Sequence, residues 1–480
     1  MGREISGGGF SQADFERFGE RLRSETETLR GHFQAGALSS RHGVGGFELE
    51  AWLVGRDNCP ATVNEAFMAR MPAGTVTPEL ARFNFELNAT PMAVTGGALG
   101  HMFEELAANW QRCREAAAEV AAAPVMVGIL PTVTDAMLGV ANMSGMARYR
   151  ALNDQVLRLR EGRPIVLDIQ GAEFLHTEHR DVMLEAATTS FQVHLQVAAS
   201  RAVRYYNAGI VLSGPMVGVS ANSPFLFGKR LWRETRVPLF EQSVAAGGIG
   251  GAAFGPVKRA TFGSGYARAS LMEVFEENLE HYPALLPVAL DDDPASLPHL
   301  RLHNGTLWRW NRPLVDFDDD GTPHLRLEHR VVPAGPSVAD SLANAALFFG
   351  LAQALAEDPE PPEAALEFAT ARENFYNAAK HGLEARVTWL DGRHWPLAAL
   401  LRERLLPAAR EGLTELGCDA GDRDRFLGII EQRVRTGRTG RTGAAWQIAY
   451  ADAHGRDLPA LVGAYRRNQD SGAPVHEWPV

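Results

Sequence analysis

The 480-residue chain lacks the features that would suggest a membrane protein, a disulfide-rich protein or a nucleic-acid-binding protein. It has no run of about 18 apolar residues, the length that a membrane-spanning helix needs. Its cysteines, Cys59, Cys113 and Cys418, are widely scattered and suggest neither a disulfide framework nor a zinc site. Its formal net charge is -11, whereas nucleic-acid binding needs a basic stripe. We therefore expect small-molecule substrates, with no nucleic acid and no membrane as partners.

The start of the chain also lacks the apolar stretch of a signal peptide, so the cytoplasm is the expected location. With 45% hydrophobic and 22% charged residues, the composition is that of an ordinary globular protein. The length would allow about three average domains, but one catalytic domain is the better interpretation. We divide the chain into an N-terminal helix (1–38), a catalytic domain (39–358) and a helical C-terminal part (359–480) packed on the same domain.

Among the residues that are present, two glutamates in the stretch 46–54 are the first sign of chemistry. Read as a strand, this stretch places Glu48 and Glu50 on one face and its apolar residues on the other. The repulsion between the two carboxylates calls for a proton or a cation, and Mg2+ binds oxygen ligands of this kind. For this pair alone, a half-buried strand whose carboxylates face water is the simpler interpretation.

Three later strands have the same design, with one apolar face and one polar face that contains no lysine. The polar positions are Asn84, Glu86 and Asn88; Gln192, His194 and Gln196; and Arg326, Glu328 and Arg330. A solvated face would usually also contain lysine, serine and threonine. If the four faces line one sheet, they supply ligands for two or more divalent ions and arginines for phosphate. Such a site suits phosphoryl transfer from Mg-ATP, in which catalysis is mostly positioning and charge neutralisation.

Each of these residues also has a structural interpretation when taken singly. His194 could be a satisfied core histidine, and Arg330 could be a plain ion-pair partner of Glu328. Asn222 lies in a turn-rich segment and could be a structural turn residue. The glycine-rich stretch 245–265 could be a mobile loop over a site or a disordered surface segment.

With these residues in hand, the chain resembles the glutamate-cysteine ligase family, in particular its bacterial carboxylate-amine ligase and plant-type branches. The resemblance spans about residues 40 to 450, and its segments occur in the right order. They are Gly46-Phe47-Glu48-Leu49-Glu50, Phe85-Glu86-Leu87 with Thr90-Pro91, Arg148-Tyr149, Ser190-Phe191-Gln192-Val193-His194, Ser220-Ala221-Asn222-Ser223-Pro224-Phe225 with Gly228-Lys229, and Leu327-Glu328-His329-Arg330. The most specific pieces are the Ala-Asn-Ser-Pro-Phe segment and the Glu-x-Glu start.

The alternating strands, separated by helices, predict an α+β fold with an antiparallel sheet. The resemblance implies, more narrowly, a glutamine-synthetase-like curved sheet flanked by helices, with ATP and Mg2+ as cofactors. It implies ATP-dependent activation of a glutamate side chain to an acyl phosphate, which an amine, by default that of cysteine, converts to a γ-glutamyl amide. The roles that it implies are metal binding for Glu48, Glu50, Glu86, His194 and Glu328, catalysis for Arg330 and Arg148, and nucleotide binding for Arg326, Asn222 and Lys229.

One departure from the family pattern keeps alternatives open. The segment after Pro224 retains Arg233 and Arg236 but lacks the usual Gly-x-x-Ser-x-Arg pattern, so the substrate loop differs. A different amine acceptor is therefore one alternative. A non-catalytic ATP-binding protein of the same fold is another, although the intact carboxylates argue against it. A homo-oligomer is possible in each case.

Overall fold

One antiparallel sheet organises the chain and contains all four strands that alternation predicts. The structure is a computed structural model, and it describes residues 9–246, 258–435 and 440–480. The strands are β1 (Val44–Val54), β2 (Val76–Pro78), β3 (Asn84–Asn88), β4 (Met92–Ala93), β5 (Ala123–Val125), β6 (Ile165–Gln170), β7 (Phe174–His179), β8 (Phe191–Val197), β9 (Phe225–Leu226), β10 (Lys229–Arg230), β11 (Ala260–Thr261), β12 (Trp308–Arg309), β13 (Asn311–Phe317), β14 (Pro323–His329), β15 (Arg386–Thr388) and β16 (His394–Pro396). The main sheet runs in the order β13-β14-β8-β1-β3-β2, with β4 and β5 also paired to β1.

Helices precede, separate and follow these strands, as expected for an α+β fold. They are α1 (Gln12–Ala35), α2 (Asn64–Met68), α3 (Ala98–Glu119), α4 (Ala147–Leu159), α5 (Ala202–Ser220), α6 (Arg236–Ser243), α7 (Met272–His281), α8 (Pro298–Gly305), α9 (Val338–Glu357), α10 (Pro362–Ala365), α11 (Phe368–His381), α12 (Leu397–Leu400), α13 (Leu406–Glu415), α14 (Ala420–Arg435), α15 (Gly443–His454) and α16 (Leu458–Asp470). Ser11 caps α1 and Ser337 caps α9, since each side chain accepts a hydrogen bond from a backbone N–H three residues later.

The apolar face of the sheet packs against helices, so its polar face is left to form a cavity. Phe47 and Leu49 of β1 and Val193 of β8 belong to one large core cluster with residues of α5 and α9. Both helices are buried along nearly their whole length. Among the described residues, α9 is the one helix long and apolar enough to span a membrane by length and composition, and 78% of its most apolar stretch is buried.

The helices after residue 359 pack on the catalytic part of the chain. Helices α13 and α14 both contact α9. Further along, Tyr465 and Gln469 of α16 donate hydrogen bonds of 2.9 and 3.0 Å to the carbonyl oxygen of Met126. These contacts agree with a C-terminal part packed on the same domain, while the division at residues 38 and 358 stays a prediction.

The sequence pattern overestimates one strand. The apolar residues 125–130, which precede Pro131, predict a buried strand, but β5 ends at Val125. The following backbone is buried and bonds to side chains instead of to a neighbouring strand. Met126 contacts α16 as described, and Trp52 donates its indole N–H to the carbonyl oxygen of Val127 at 3.2 Å. The predicted glycine-rich stretch cannot be compared as a whole, because residues 247–257 lie outside the described residues.

Candidate active site

Strand register brings the predicted acidic residues onto one face of the sheet. Glu50 of β1 lies opposite Glu86 of β3, and Glu328 of β14 lies opposite His194 of β8. Glu48 lies opposite Gln192 on β8 and Asn88 on β3. Because side chains two residues apart share a face, the polar sides of these four strands form one continuous floor. The alignment of the four faces that the sequence predicts is therefore confirmed.

Above this floor lies a cavity of about 500 Å³. Seven of the ten predicted site residues line it: Glu48, Glu50, Glu86, Arg148, Arg326, Glu328 and Arg330. His194 belongs to the floor and is 5% exposed. Its Nε2 atom lies 3.6 Å from a carboxylate oxygen of Glu48 and 4.0 Å from one of Glu328. The structure thus brings every predicted metal ligand and three of the predicted arginines to one place.

The chemistry of this floor fits a divalent cation. Potential ligand atoms of Glu48, His194 and Glu328 all lie within 4.8 Å of one another. Among the described residues, neither ring nitrogen of His194 has a hydrogen-bond partner, although both are buried. A buried polar atom without a partner is costly, and a cation bound between imidazole and carboxylates would satisfy it. Oxygen-rich sites of this kind suit Mg2+ and Mn2+.

Two carboxylates of the floor are held in the charged form. Burial opposes ionisation of Glu48, but the neighbouring basic side chains of His194 and Arg326 together outweigh it, and the pKa of Glu48 falls to about 2. Burial also opposes ionisation of Glu328, yet the guanidinium groups of Arg312 and Arg330 hold its pKa far below the usual range. These two glutamates are therefore negative at neutral pH.

Other carboxyl groups of the cavity have raised pKa values. Burial, reinforced by the charges of Glu48 and Glu50, raises the pKa of Glu86 to about 8. Burial and the charge of Glu50 raise the pKa of Glu185 to about 8. Burial, reinforced by the charge of Glu86, raises the pKa of Glu79 well above its usual value. These carboxyl groups are therefore largely protonated at neutral pH, and a bound cation would displace their protons.

Arg330 is fixed at the floor by contacts on its side chain and its backbone. Its Nη1 atom lies 3.1 Å from Glu328 Oε2 and also donates to the side-chain oxygen of Gln192. Behind it, Arg236 donates hydrogen bonds of 3.1 Å and 2.6 Å to the carbonyl oxygens of Arg330 and Val331. A guanidinium held in this way presents a fixed positive charge to the cavity, as phosphate binding requires.

The other two arginines enter the cavity from different elements. Arg148, near the start of α4, donates to the hydroxyl of Tyr149 at 2.5 Å, and that hydroxyl donates to the carbonyl oxygen of Pro78 at 2.9 Å. Arg326 of β14 lies 3.8 Å from a carboxylate oxygen of Asp316. Both guanidinium groups line the same cavity as the acidic floor.

Two residues predicted to bind nucleotide lie away from this cavity. Asn222 is fully buried, and its side chain donates to the carbonyl oxygen of Ala334 at 2.7 Å and to the hydroxyl of Tyr465 at 2.8 Å. Its Oδ1 atom accepts a hydrogen bond of 2.9 Å from Gln447. Lys229 is exposed on the two-residue strand β10. Because neither side chain reaches the cavity, the structure gives Asn222 a structural position, and nucleotide binding by the pair stays a prediction.

Sequence patterns missed three charged residues of the site. Arg312 of β13 binds Glu328 through two hydrogen bonds of 2.7 and 2.8 Å, a pairing set by the hairpin register. Glu79 and Glu185 line the cavity but lie just outside strands. Alternation therefore could not show which way they point. For Arg312 there was a signal in the sequence, because the acidic turn 316–321 allows the segments on either side of it to pair as a hairpin.

The sequence model of glutamate-cysteine ligase family 2 matches residues 45–464. The chain belongs to glutamate-cysteine ligase family 2. Membership of this family makes the chain an ATP-dependent ligase that joins a carboxylate to an amine in an amide bond. The predicted family and enzyme class are thus confirmed. No curated protein sequence matches the chain.

Solved structures support the fold of this family member. A glutamate-cysteine ligase from Francisella tularensis in complex with AMP is similar with a TM-score of 0.52 at 11% identity, over 92% of this chain and 91% of that one. A bifunctional glutathione synthetase from Pasteurella multocida is similar with a TM-score of 0.54 at 12% identity. The match covers 92% of this chain and 55% of the synthetase chain. The predicted glutamine-synthetase-like curved antiparallel sheet flanked by helices is confirmed. At these identities the likeness concerns the fold alone.

Proposed function

We propose that this ligase is a glutamate-cysteine ligase that forms γ-glutamylcysteine through a γ-glutamyl phosphate. The main support for the proposal is that the acidic floor and three arginines, Arg148, Arg326 and Arg330, line one cavity. Such a site can bind the phosphates of ATP beside a substrate carboxylate and neutralise the charge of both. Small molecules are the expected substrates, and the cytoplasm is the proposed location.

The reaction follows from the weakness of a carboxylate as an acyl donor. Transfer of the γ-phosphoryl group of ATP to the γ-carboxylate of glutamate forms an acyl phosphate and releases ADP. The free amine of the acceptor then attacks the carbonyl carbon, and inorganic phosphate leaves as the amide bond forms. The ammonium group of the acceptor must lose its proton before or during this attack.

In this mechanism the residues of the floor have separate tasks. The proposed metal-binding residues are Glu48, Glu50, Glu86, His194 and Glu328. A bound Mg2+ would supply charge neutralisation for the phosphates. Arg330 would bind the transferred phosphoryl group, and Arg148 a substrate carboxylate or phosphate. Arg326 is the predicted nucleotide-binding residue that lines the cavity, and we propose that it contacts the nucleotide.

A ligase for a different amine is the second candidate. The segment after Pro224 differs from the family pattern, and in the structure its Arg236 is 3% exposed and bonds to backbone carbonyls. That arginine therefore supports the floor instead of facing a substrate.

The test is an ADP-release assay with Mg-ATP and L-glutamate, with and without L-cysteine, followed by a panel of other amines. We expect ADP release that needs both L-glutamate and L-cysteine, with γ-glutamylcysteine as the product by mass spectrometry. Release only with another amine would keep the mechanism and change the acceptor. If no ADP is released with any amine, or when other carboxylates replace L-glutamate, the ligase proposal is overturned. Glu48→Gln is the matched inactive control, and Glu178→Gln, an exposed site on β7, should behave as the unchanged protein does.

A further inference from the structure

The carboxylate of Glu25 on α1 is buried outside the cavity and has no role in the mechanism described above. One of its oxygens lies 2.6 Å from Nδ1 of His299, and the other accepts the backbone N–H of Leu300 at 2.9 Å. Because burying a carboxylate is costly unless hydrogen bonds satisfy it, these two contacts tie α1 to the first turn of α8. Helix α1 lies before residue 45, where the match to the family model begins.

Helix α8 takes this contact from α1 because its own sequence supplies no N-terminal cap. The residue before the helix is Leu297, whose side chain cannot accept a hydrogen bond, and the first helical residue, Pro298, has no N–H. The free N–H groups of a first turn usually bond to Ser, Thr, Asp or Asn at the cap position. Glu25, 275 residues before Leu300 in the chain, provides the acceptor instead and places a negative charge at the positive end of the helix dipole.

The last turn of α8 contacts the arginine that binds Glu328. Nη1 of Arg312 donates to the carbonyl oxygen of Gly305 at 3.3 Å. The same guanidinium binds the Glu328 carboxylate at 2.7 and 2.8 Å. The side-chain amide of Asn304 donates to the carbonyl oxygen of Pro313, the residue after Arg312 on β13, at 2.9 Å. A displacement of α8 would therefore reach a proposed metal ligand through Arg312.

The middle of α8 contacts a second part of the floor. Arg301 lines the cavity, and its Nη2 atom donates to a carboxylate oxygen of Asp316 at 2.7 Å. The other oxygen of Asp316 lies 3.8 Å from Arg326, which also lines the cavity. We propose that Glu25 is a positioning residue that acts through α8 on the binding of Mg-ATP. This inference rests on the proposed function, because it uses the proposed roles of Glu328 in metal binding and of Arg326 in nucleotide binding.

The first variant is Glu25→Met, which removes both acceptor oxygens and keeps a side chain of similar length. We expect the KM for Mg-ATP to rise about tenfold, with a smaller change in kcat, because displaced binding groups hold the nucleotide less well. The Mg2+ concentration needed for half-maximal ADP release should rise as well, through Arg312 and Glu328. The measurements are made well below the melting temperature of the variant, and circular dichroism establishes that it is folded.

Two matched variants separate positioning from stability. Leu29→Ala removes a fully buried side chain of α1 and leaves both contacts of Glu25 in place. It should lower the melting temperature and leave the KM for Mg-ATP unchanged. Glu25→Gln keeps an oxygen that can accept the N–H of Leu300 and an amide that can donate to Nδ1 of a neutral His299. It should therefore restore the KM to a value close to that of the unaltered protein.

A milder variant tests the same contact if Glu25→Met does not fold. His299→Phe removes one of the two partners of Glu25 and keeps an aromatic ring beside Phe18, whose ring centroid lies 5.3 Å from that of His299. It should raise the KM for Mg-ATP. An unchanged KM in folded His299→Phe would overturn the inference.

The outcomes also separate this inference from the proposed function. If Glu25→Met lowers the melting temperature with an unchanged KM for Mg-ATP, or if Leu29→Ala raises that KM equally, Glu25 has a purely structural role and the inference is overturned. If the unaltered protein releases no ADP with any amine, the proposed function fails by itself. Calorimetry with a non-hydrolysable ATP analogue and Mg2+ then tests the inference. Equal affinities of Glu25→Met and the unaltered protein would overturn it, as would an analogue that binds neither.

Discussion

Glu48 and Glu328 carry the same charge on neighbouring parts of the floor, but they differ in how much of the fold depends on them. Glu328 accepts two hydrogen bonds from Arg312, at 2.7 and 2.8 Å, and one of 3.1 Å from Arg330. The carboxylate of Glu48 instead lies 3.6 Å from the imidazole of His194. The sequence alone gives both residues one role, whereas the structure makes Glu328 a support for two buried arginines as well.

We therefore expect Glu48→Gln and Glu328→Gln to have different effects on stability. Glu48→Gln should lower the rate of ADP release by about 100-fold or more and lower the free energy of unfolding less than Glu328→Gln does, because the lowered pKa of Glu48 means that its charge also stabilises the fold. Glu328→Gln should lower both, with a loss of about 3 kcal/mol in stability, because it leaves buried guanidinium charges without their partner. Chemical denaturation and the ADP-release assay measure the two quantities. An equal loss of stability and activity in Glu48→Gln would count against its metal role.

The raised pKa values of Glu86 and Glu185 predict how the metal-free protein responds to pH. Each group has a pKa of about 8 in the folded protein against a reference value of 4.5, so the folded state binds more protons than the unfolded state between these values. Their contribution to stability is fully present below pH 4.5 and is lost as the pH rises to about 8. The groups with lowered pKa values, Glu48 and Glu328, act in the other direction but only below pH 4.5.

We expect the free energy of unfolding in EDTA to fall as the pH is raised from about 5 to about 8. Glu86→Gln should make this dependence less steep, because it removes one of the buried carboxyl groups whose pKa is raised. Denaturation curves at a series of pH values measure the slope, and Glu178→Gln serves as the control. A slope that Glu86→Gln leaves unchanged would show that this carboxyl group does not titrate in the predicted range.

Among the secondary-structure elements, the alternating strands were the part that the sequence could predict. Side chains alternate with a period of two, so the faces of β1, β3, β8 and β14 followed from the order of polar and apolar residues. Alternation does not predict which residue lies opposite on the neighbouring strand, because register depends on turns and on packing between distant parts of the chain. Arg312 was missed for this reason. Glu79 and Glu185 were missed because they lie outside the regular strands, where no period fixes the direction of a side chain.

Helix α6 supports the end of β14 through its first residue, Arg236. Its Nε atom donates to Glu234 at 3.1 Å, and its other nitrogens bind the carbonyl oxygens of Arg330 and Val331. Glu234 is fully buried and also accepts the backbone N–H of Asn222 at 2.7 Å. This chain of contacts links the Ala-Asn-Ser-Pro-Phe segment to Arg330, the arginine that we propose binds phosphate, and Arg236 is therefore a positioning residue.

Arg236→Lys should move Arg330, because one ammonium group cannot reproduce the three directed hydrogen bonds of a guanidinium. We expect kcat/KM for ATP to fall about tenfold, which corresponds to about 1.4 kcal/mol of lost transition-state stabilisation. Arg233→Lys is the matched control, since Arg233 pairs with Glu384 near the surface and away from the cavity. A lower melting temperature with unchanged kinetic constants for ATP would give Arg236 a purely structural role.

On the scale of the whole molecule, the C-terminal helices lock the segment that contains Asn222. The hydroxyl of Tyr465 donates to the carbonyl oxygen of Met126 at 2.9 Å and accepts from the Asn222 amide at 2.8 Å. Tyr465→Phe should therefore lower the free energy of unfolding by about 1 to 3 kcal/mol, because the buried Asn222 amide loses an acceptor and the Met126 carbonyl oxygen loses one of its two donors. The KM for ATP should stay unchanged, since Asn222 lies outside the cavity. A raised KM with normal stability would instead support nucleotide binding by Asn222.

The final prediction concerns the response of the whole fold to its cofactors. A ligand that binds only the folded state stabilises it by mass action, by about 2.7 kcal/mol at 100 times its dissociation constant. We expect a non-hydrolysable ATP analogue with Mg2+ to raise the melting temperature by a few degrees, and EDTA to reverse most of this increase. Glu48→Gln should keep the response to nucleotide but lose the part that depends on Mg2+. If the analogue stabilises both proteins equally with or without Mg2+, the nucleotide binds elsewhere and the acidic floor is not its metal site. We expect the stabilisation to depend on Mg2+, because the carboxyl groups of the floor crowd one another. Glu86 has a raised pKa and takes up a proton, whereas Glu48 has a lowered pKa and stays charged. A bound cation would relieve the repulsion that remains.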